Sequence, residues 1–135
     1  MKEKNYQTVD EAKEFIDFIE GEIWKVIPNY SSYLISNYGR IFGFARKAVK
    51  NIKKNKGHRY LTTRLYDDNG VFSNSMYIHR LVAEAFCEND DPQNKTVVHH
   101  RNINSLDNRA DNLIWMTEEE HNKLHSERRA KRNEA

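Results

Sequence analysis

The sequence predicts a small α+β protein in which an N-terminal β-rich region leads into a ββα unit. Three observations predict it. Between residues 22 and 77, short β-branched and aromatic runs alternate with turn dipeptides. Between residues 96 and 125, an apolar run, a polar loop, a second apolar run and a capped helix follow one another. Four of the chain's six histidines, His99, His100, His121 and His125, fall in that last stretch.

The 135 residues suffice for one domain or two very small ones. A hydrophobic content of 38% and a mean hydropathy of −0.93 imply a modest core under a polar surface. No apolar run reaches the ~18 residues of a membrane span, and the N-terminus, MKEKNYQTVDE, has no apolar signal-peptide core. Cys87 is the single cysteine, which excludes an intramolecular disulfide and a zinc knuckle built on paired Cys. A reducing cytoplasm is the expected setting. The net charge of +2 hides an uneven distribution. Residues 1–22 carry seven acids and three Lys. Residues 40–64 carry nine cations and no acid: Arg40, Arg46, Lys47, Lys50, Lys53, Lys54, Lys56, Arg59 and Arg64. Such a block suits the phosphates of nucleic acid; a solvated lysine-rich loop is the plainer reading.

The elements follow in order. Thr8 as N-cap with Glu11 three residues on opens a helix, Phe15, Ile16, Phe18 and Ile19 recur at helical spacing, and Gly21 ends it. Residues 1–21 thus form an acidic helix whose role is packing. Two short strands flank a Pro28-Asn29 turn, and Asn37-Tyr38-Gly39 turns the chain into a third strand at Arg40-Ile41-Phe42. Residues 45–58 are a basic connector, expected as a flexible loop or as one lying along a phosphate backbone. A strand over 59–66, a turn at Asp67-Asp68-Asn69-Gly70 and a return over 71–78 make a hairpin, a ribbon that fits a DNA groove. An amphipathic helix over 79–86 presents Leu81, Val82, Ala85 and Phe86, and His79 reads as a packing or capping histidine. Residues 88–95 are a loop.

Thr96-Val97-Val98 is a strand running into the His pair. Alternation along a strand sends His99 and His100 to opposite faces, so they can have different jobs. Residues 102–112 have loop chemistry, and Leu113-Ile114-Trp115-Met116 is a second strand. Thr117 and Glu120 form a capping box, with Glu118 and Glu119 suited to the helix N-terminus. His121 and His125, four apart, share one helix face at about 5–6 Å between Cβ atoms, the spacing that lets two imidazoles bind one metal. The helix then turns basic at Lys123, Arg128, Arg129, Lys131 and Arg132. This suits its dipole, with charge left over for phosphate. The last few residues are expected to fray.

The run VVHH, eleven residues, Asn112, eight residues, His121, three residues, His125 resembles the HNH nuclease motif of phage intron-type homing endonucleases and colicin DNases. The resemblance implies His99, His121 and His125 as ligands of one divalent metal, His100 as general base and Asn112 as the brace of the loop. Phage relatives often have Asn or Asp at the position of His99 and Asn at that of His121, so the frame is phage-type and the ligand set colicin-like. Upstream, Glu22, Trp24, Ile27, Pro28, Tyr30, Tyr33, Ser36, Asn37, Gly39 and Arg40 match the pattern E-W-x-x-I-P-G-Y, then Y-x-V-S-N-x-G-R-V, of a small DNA-binding motif that precedes HNH domains. Asn29 stands where Gly is usual.

The division implied is an acidic helix over 1–21, a β-rich DNA-binding region over 22–77 and an HNH ββα-metal nuclease domain over 78–135. The function implied is hydrolysis of double-stranded DNA, by nick or double-strand cut. Mg2+ or Mn2+ is the expected ion for activity; three imidazoles also suit Zn2+ or Ni2+. The nine cations of the basic block are the expected DNA contacts. A homodimer or a phage protein is a further candidate partner, and the location implied is the cytoplasm of a phage's bacterial host. Many relatives carry a further helix-turn-helix module after the nuclease. Without one, weak sequence specificity, or specificity borrowed from a partner, is expected. The main alternative is a DNA-binding module with a vestigial nuclease site. A closed structural metal site and a toxin-type nuclease rank lower.

Overall fold

The computed structural model describes residues 8–133. The first seven residues of the acidic segment, and part of the C-terminal end expected to fray, lie outside the described residues.

Four strands form an antiparallel meander: β1 (Trp24–Ile27), β2 (Tyr30–Ser36), β3 (Ile41–Gly43) and β4 (Ala48–Val49). The β1–β2 turn is Pro28-Asn29, and Asn29 takes φ 67°, a left-handed conformation that Asn tolerates better than most residues. Ser36 closes the β2–β3 turn, its hydroxyl accepting from the amides of Tyr38 and Arg40, both at 3.1 Å. Side chains alternate across the sheet. Leu34, Trp24 and Phe42 face the N-terminal segment with Ala12. Ile27, Ile35 and Ile41 face the opposite way, toward the rest of the chain. The short strand β4 within the basic connector was not expected.

The N-terminal helix is shorter than its pattern suggests. Thr8 caps it as expected, its hydroxyl accepting from the Glu11 amide at 3.2 Å. But α1 covers only Val9–Ala12, followed by one 3-10 turn at Lys13–Phe15. Ile16 then takes an extended conformation, and side chains of the β2–β3 turn donate to the carbonyls of Asp17 (from Arg40), Glu20 (from Tyr38) and Gly21 (from Asn37). Phe18 is left 90% exposed.

The hairpin is also more fragmented than expected. Its turn forms, with Asp67 Oδ1 accepting from the amides of Asn69 and Val71. Pairing, however, is limited to β5 (Thr62–Thr63) with β6 (Met76–Tyr77) and a lone bridge between Tyr66 and Phe72. Between these, side chains intercept ladder groups: the Leu65 amide donates to Ser73 Oγ and the Tyr66 amide to the Tyr33 hydroxyl.

Helix α2 (Ile78–Phe86) starts one residue earlier than expected and buries Ile78, His79, Leu81, Val82 and Ala83. Strands β7 (Val97–His100) and β8 (Leu113–Met116) then pair antiparallel, and α3 (Glu118–Asn133) follows. One core joins Ile27, Ile35 and Ile41 of the meander to Leu65, to α2, and to Val98 and Leu113 of the last hairpin. The division expected at residue 77 falls between β6 and α2, inside this continuous core. No described helix is long and apolar enough to cross a membrane.

Candidate active site

The β7–β8 pair carries His99 opposite Ile114 and His100 opposite Leu113. Burial alternates, with Val98 and His100 buried and Val97 and His99 half-buried, so the two histidines have separate neighbours. His100, 6% exposed, packs in a cluster with the stacked ring of Tyr60, 6.0 Å away between centroids, and the ring of His79 at 5.0 Å. Its Nε2 is 2.8 Å from Asn108 Oδ1. A side-chain oxygen facing the ring favours the tautomer with its proton on Nε2 and its lone pair on Nδ1.

The loop that holds Asn108 is tied down by Asn112. The Asn112 Oδ1 accepts from the Asn102 amide at 3.0 Å, and its Nδ2 donates to Asn102 Oδ1 at 3.0 Å and to the Asp107 carbonyl at 2.8 Å. A buried amide satisfied three ways resists rotation, because each lost bond leaves a desolvated polar group. The same loop meets the β2–β3 turn. The Ala110 amide donates to the Asn37 carbonyl at 2.7 Å. Gly39, at φ +84°, comes so near that a Cβ there would lie 3.1 Å from the Asn108 Cβ.

His99, His121 and His125 line the same cleft as His100. Helix α3 is opened by the expected reciprocal box: the Thr117 amide donates to Glu120 Oε1 at 3.2 Å, and the Glu120 amide to Thr117 Oγ1 at 3.1 Å. It carries His121 and His125 with Nε2 atoms 3.1 Å apart, and the His121 ring centroid is 5.6 Å from that of His99. Burial, then the neighbouring His121 and Arg128, push the His99 pKa down to about 4. Burial, then Arg128 and Arg59, lower that of His121. Burial, then His121, Arg128 and Arg59, lower that of His125. Free-base imidazoles are the form that binds metal.

Among the described residues, no three His, Cys, Asp or Glu side chains already converge as a metal cage. The donors nevertheless suit an ion. A 3.1 Å separation of two Nε2 atoms is that of adjacent ligands on a metal bound at about 2.1 Å, and the His99 ring lies 5.6 Å from that of His121 between centroids.

Arg59 and Arg128 line the cleft at His99, His100, His121 and His125. It opens into a basic cleft of about 750 Å³ bordered also by Arg129 and Arg132. The remaining expected DNA contacts lie elsewhere. Arg40 is engaged: its guanidinium forms a two-pronged pair with Glu22, donates to the Asp17 carbonyl at 3.2 Å and lies over Trp24. Lys50 donates to the Arg64 carbonyl at 2.9 Å, and burial followed by Arg46 lowers its pKa. Arg64 donates to the Ser73 carbonyl and covers Phe72, and Lys47 lies over Phe15. Arg46, Lys53, Lys54 and Lys56 are exposed.

Sequence reasoning missed Asn108 and Tyr60. Asn108 is one of four Asn between 102 and 112, and nothing local marks it as the one facing His100. Arg128 was readable only as tail charge, yet positions 121, 125 and 128 follow the i, i+4, i+7 spacing of a single helix face.

Comparison with known proteins gives matches to two families along the chain. The NUMOD4 motif matches residues 22–66, and the HNH endonuclease family matches residues 76–123. The chain is 37% identical over 103 residues to an uncharacterised HNH endonuclease of Acanthamoeba polyphaga mimivirus, covering 75% of this chain and 25% of that protein. It is 32% identical over 101 residues to the H-N-H endonuclease F-TflII of Escherichia phage T5, covering 74% of this chain and 50% of that one. It thus spans half or less of the length of these relatives. The structure of the HNH homing endonuclease I-HmuI, solved in a study of its DNA binding and cleavage, superposes with a TM-score of 0.65 at 28% identity, covering 82% of this chain and 59% of that one. The chain is a NUMOD4 motif followed by a domain of the HNH endonuclease family.

Proposed function

We propose that the protein is a metal-dependent endonuclease that hydrolyses phosphodiester bonds of double-stranded DNA, with His100 as general base. The observation that carries this reading is the placement of His100. It is fixed by Asn108 on one ring nitrogen and has the other free, beside three neutral imidazoles in a cleft bordered by arginines. A free-base ring nitrogen in that position takes the proton of an attacking water. His99, His121 and His125 would hold the divalent ion, which would supply Lewis-acid stabilisation of the charge that develops as the phosphodiester is cut. Arg59 and Arg128 receive the non-bridging phosphate oxygens. Tyr60 and His79 pack against the His100 ring and keep bulk water from its buried face. Asn112 holds the loop that presents Asn108. Mg2+ or Mn2+ is the working ion. The exposed cations Arg46, Lys53, Lys54 and Lys56 track the duplex away from the cut, and Arg40 acts as a clamp within the fold.

The test is conversion of supercoiled plasmid with EDTA, Mg2+, Mn2+, Ni2+ or Zn2+, for the wild type and His100→Ala. Metal-dependent cleavage that falls at least about a hundredfold in His100→Ala, with DNA binding retained, supports the reading. Equal cleavage by the variant removes His100 as base. Failure of every metal on every substrate leaves a DNA-binding module.

A further inference from the structure

The loop between β7 and β8 holds one residue in a backbone conformation that its side chain disfavours. Ile103 has φ 69°. Among the described non-glycine residues with positive φ, Asn29 is of a type that tolerates it and Lys47 is unbranched; Ile103 is β-branched, the poorest fit to left-handed backbone. The surroundings impose the conformation. The Ile103 amide donates to the His100 carbonyl at 3.1 Å. On either side, the Asn102 amide donates to Asn112 Oδ1 at 3.0 Å and the Asn104 amide to Asn102 Oδ1 at 2.9 Å. The Ser105 hydroxyl ties the loop to the Arg59 carbonyl at 2.7 Å. Burial does not offset the strain: the Ile103 side chain is 57% exposed and belongs to neither core cluster. It borders both clefts instead, in the company of Arg59 and Arg128. A glycine would fit the backbone without strain, so the isoleucine is explained by what its side chain meets in the cleft.

We propose that Ile103 is a wedge that enters the base stack of duplex DNA beside the scissile phosphate, opening one base step and bending the strand into the cleft. The inference rests on the endonuclease reading of this cleft. Guanidiniums receive phosphates, so a side chain standing among them faces the bases strung between those phosphates. It is apolar and branched, of the kind that partly unstacks a base step, and the hydrogen bonds around it keep it from folding back when the duplex arrives. Opening a step costs least where stacking is weak, at pyrimidine–purine steps. The wedge therefore gives the enzyme a mild preference for where it cuts, without a hydrogen bond to any base.

The experiment reads base stacking directly. Short duplexes carry 2-aminopurine, whose fluorescence rises when its step opens, at successive positions, and the anisotropy of a terminal dye gives the bound fraction. Binding is measured in EDTA, which withholds the metal. The full-length wild type is expected to raise the fluorescence severalfold at saturation. Ile103→Gly and Ile103→Asn, which suit a left-handed backbone, are expected to fold at least as stably in urea and to lose the rise at equal bound fraction, while Ile103→Leu keeps it. With the working metal, Ile103→Gly should cut an intact duplex at least about tenfold more slowly, a part of the cost of opening one step. It should recover most of that loss on a duplex with a mismatch beside the mapped cut, where the step is already open. A bound duplex with no rise, or with an equal rise under Ile103→Gly, overturns the wedge and leaves the nuclease standing. So does a Gly variant equally slow on intact and mismatched duplexes. A duplex that is opened by the wild type but cut with no metal leaves the wedge standing and overturns the endonuclease reading.

Discussion

Of the residues around the cleft, His79 shows most plainly what burial does to an imidazole. It is 7% exposed, ringed by Tyr60, Tyr77 and His100, and its Nδ1 has no hydrogen-bond partner. Burial, then the nearby His100 and Arg80, push its pKa from 6.5 down to about 4. The folded chain therefore resists a proton that the unfolded chain accepts. Stability is full above about pH 6.5 and falls as pH drops toward 4, by on the order of 2–3 kcal/mol. Urea unfolding of wild type and His79→Phe between pH 4 and 7.5 measures this: the variant is expected to lose less stability on acidification, and parallel curves refute it. The packing role of His79 was legible in the sequence, because it lies on an apolar helix outside the spaced constellation. The constellation was legible too, since i, i+4 spacing and strand alternation are local geometry. Asn108 and Tyr60 were not, because each reaches His100 only through tertiary folding.

Among the elements, α3 depends most on local chemistry. It has no buried residue, so its start is set by the Thr117–Glu120 box and by the three glutamates of its first turn. Thr117→Ala removes one half of the box and is expected to cost about 1 kcal/mol. Its effect falls on His121, in the first turn. Mn2+ binding should weaken several-fold with the rest of the fold intact, as read by titration alongside circular dichroism; an unchanged ion affinity would sink the expectation. Helix α3 and the β7–β8 pair were readable because their signals lie within a few residues. The N-terminal helix and the hairpin ribbon were over-read because tertiary contacts are invisible locally. Arg40, Tyr38 and Asn37 anchor the segment after α1 to the β2–β3 turn, and Ser73 and Tyr33 take amides of the ribbon.

At the scale of the molecule, charge and core follow different divisions. The basic block read from sequence is split by the fold, with Arg59 brought into the cleft, Arg40 and Lys50 engaged internally, and Arg46, Lys53, Lys54 and Lys56 exposed. Affinity for duplex DNA should fall linearly in log–log form with salt, and each cation that meets a phosphate contributes about 0.9 to the slope. Replacing Lys53, Lys54 and Lys56 together by Ala is expected to shallow the slope by roughly 2–3, measured by fluorescence anisotropy; Arg40→Ala should change the slope little and lower stability instead. The core ignores the boundary between the two matched segments, and so does the contact of the β2–β3 turn with the loop of Asn108. Gly39 and Asn37 leave no slack there. The NUMOD4 motif is thereby keyed to the nuclease as one end of a ruler is to the other. On the proposed endonuclease reading, the bond broken is expected to lie at a set number of base pairs from wherever the first half settles on a duplex.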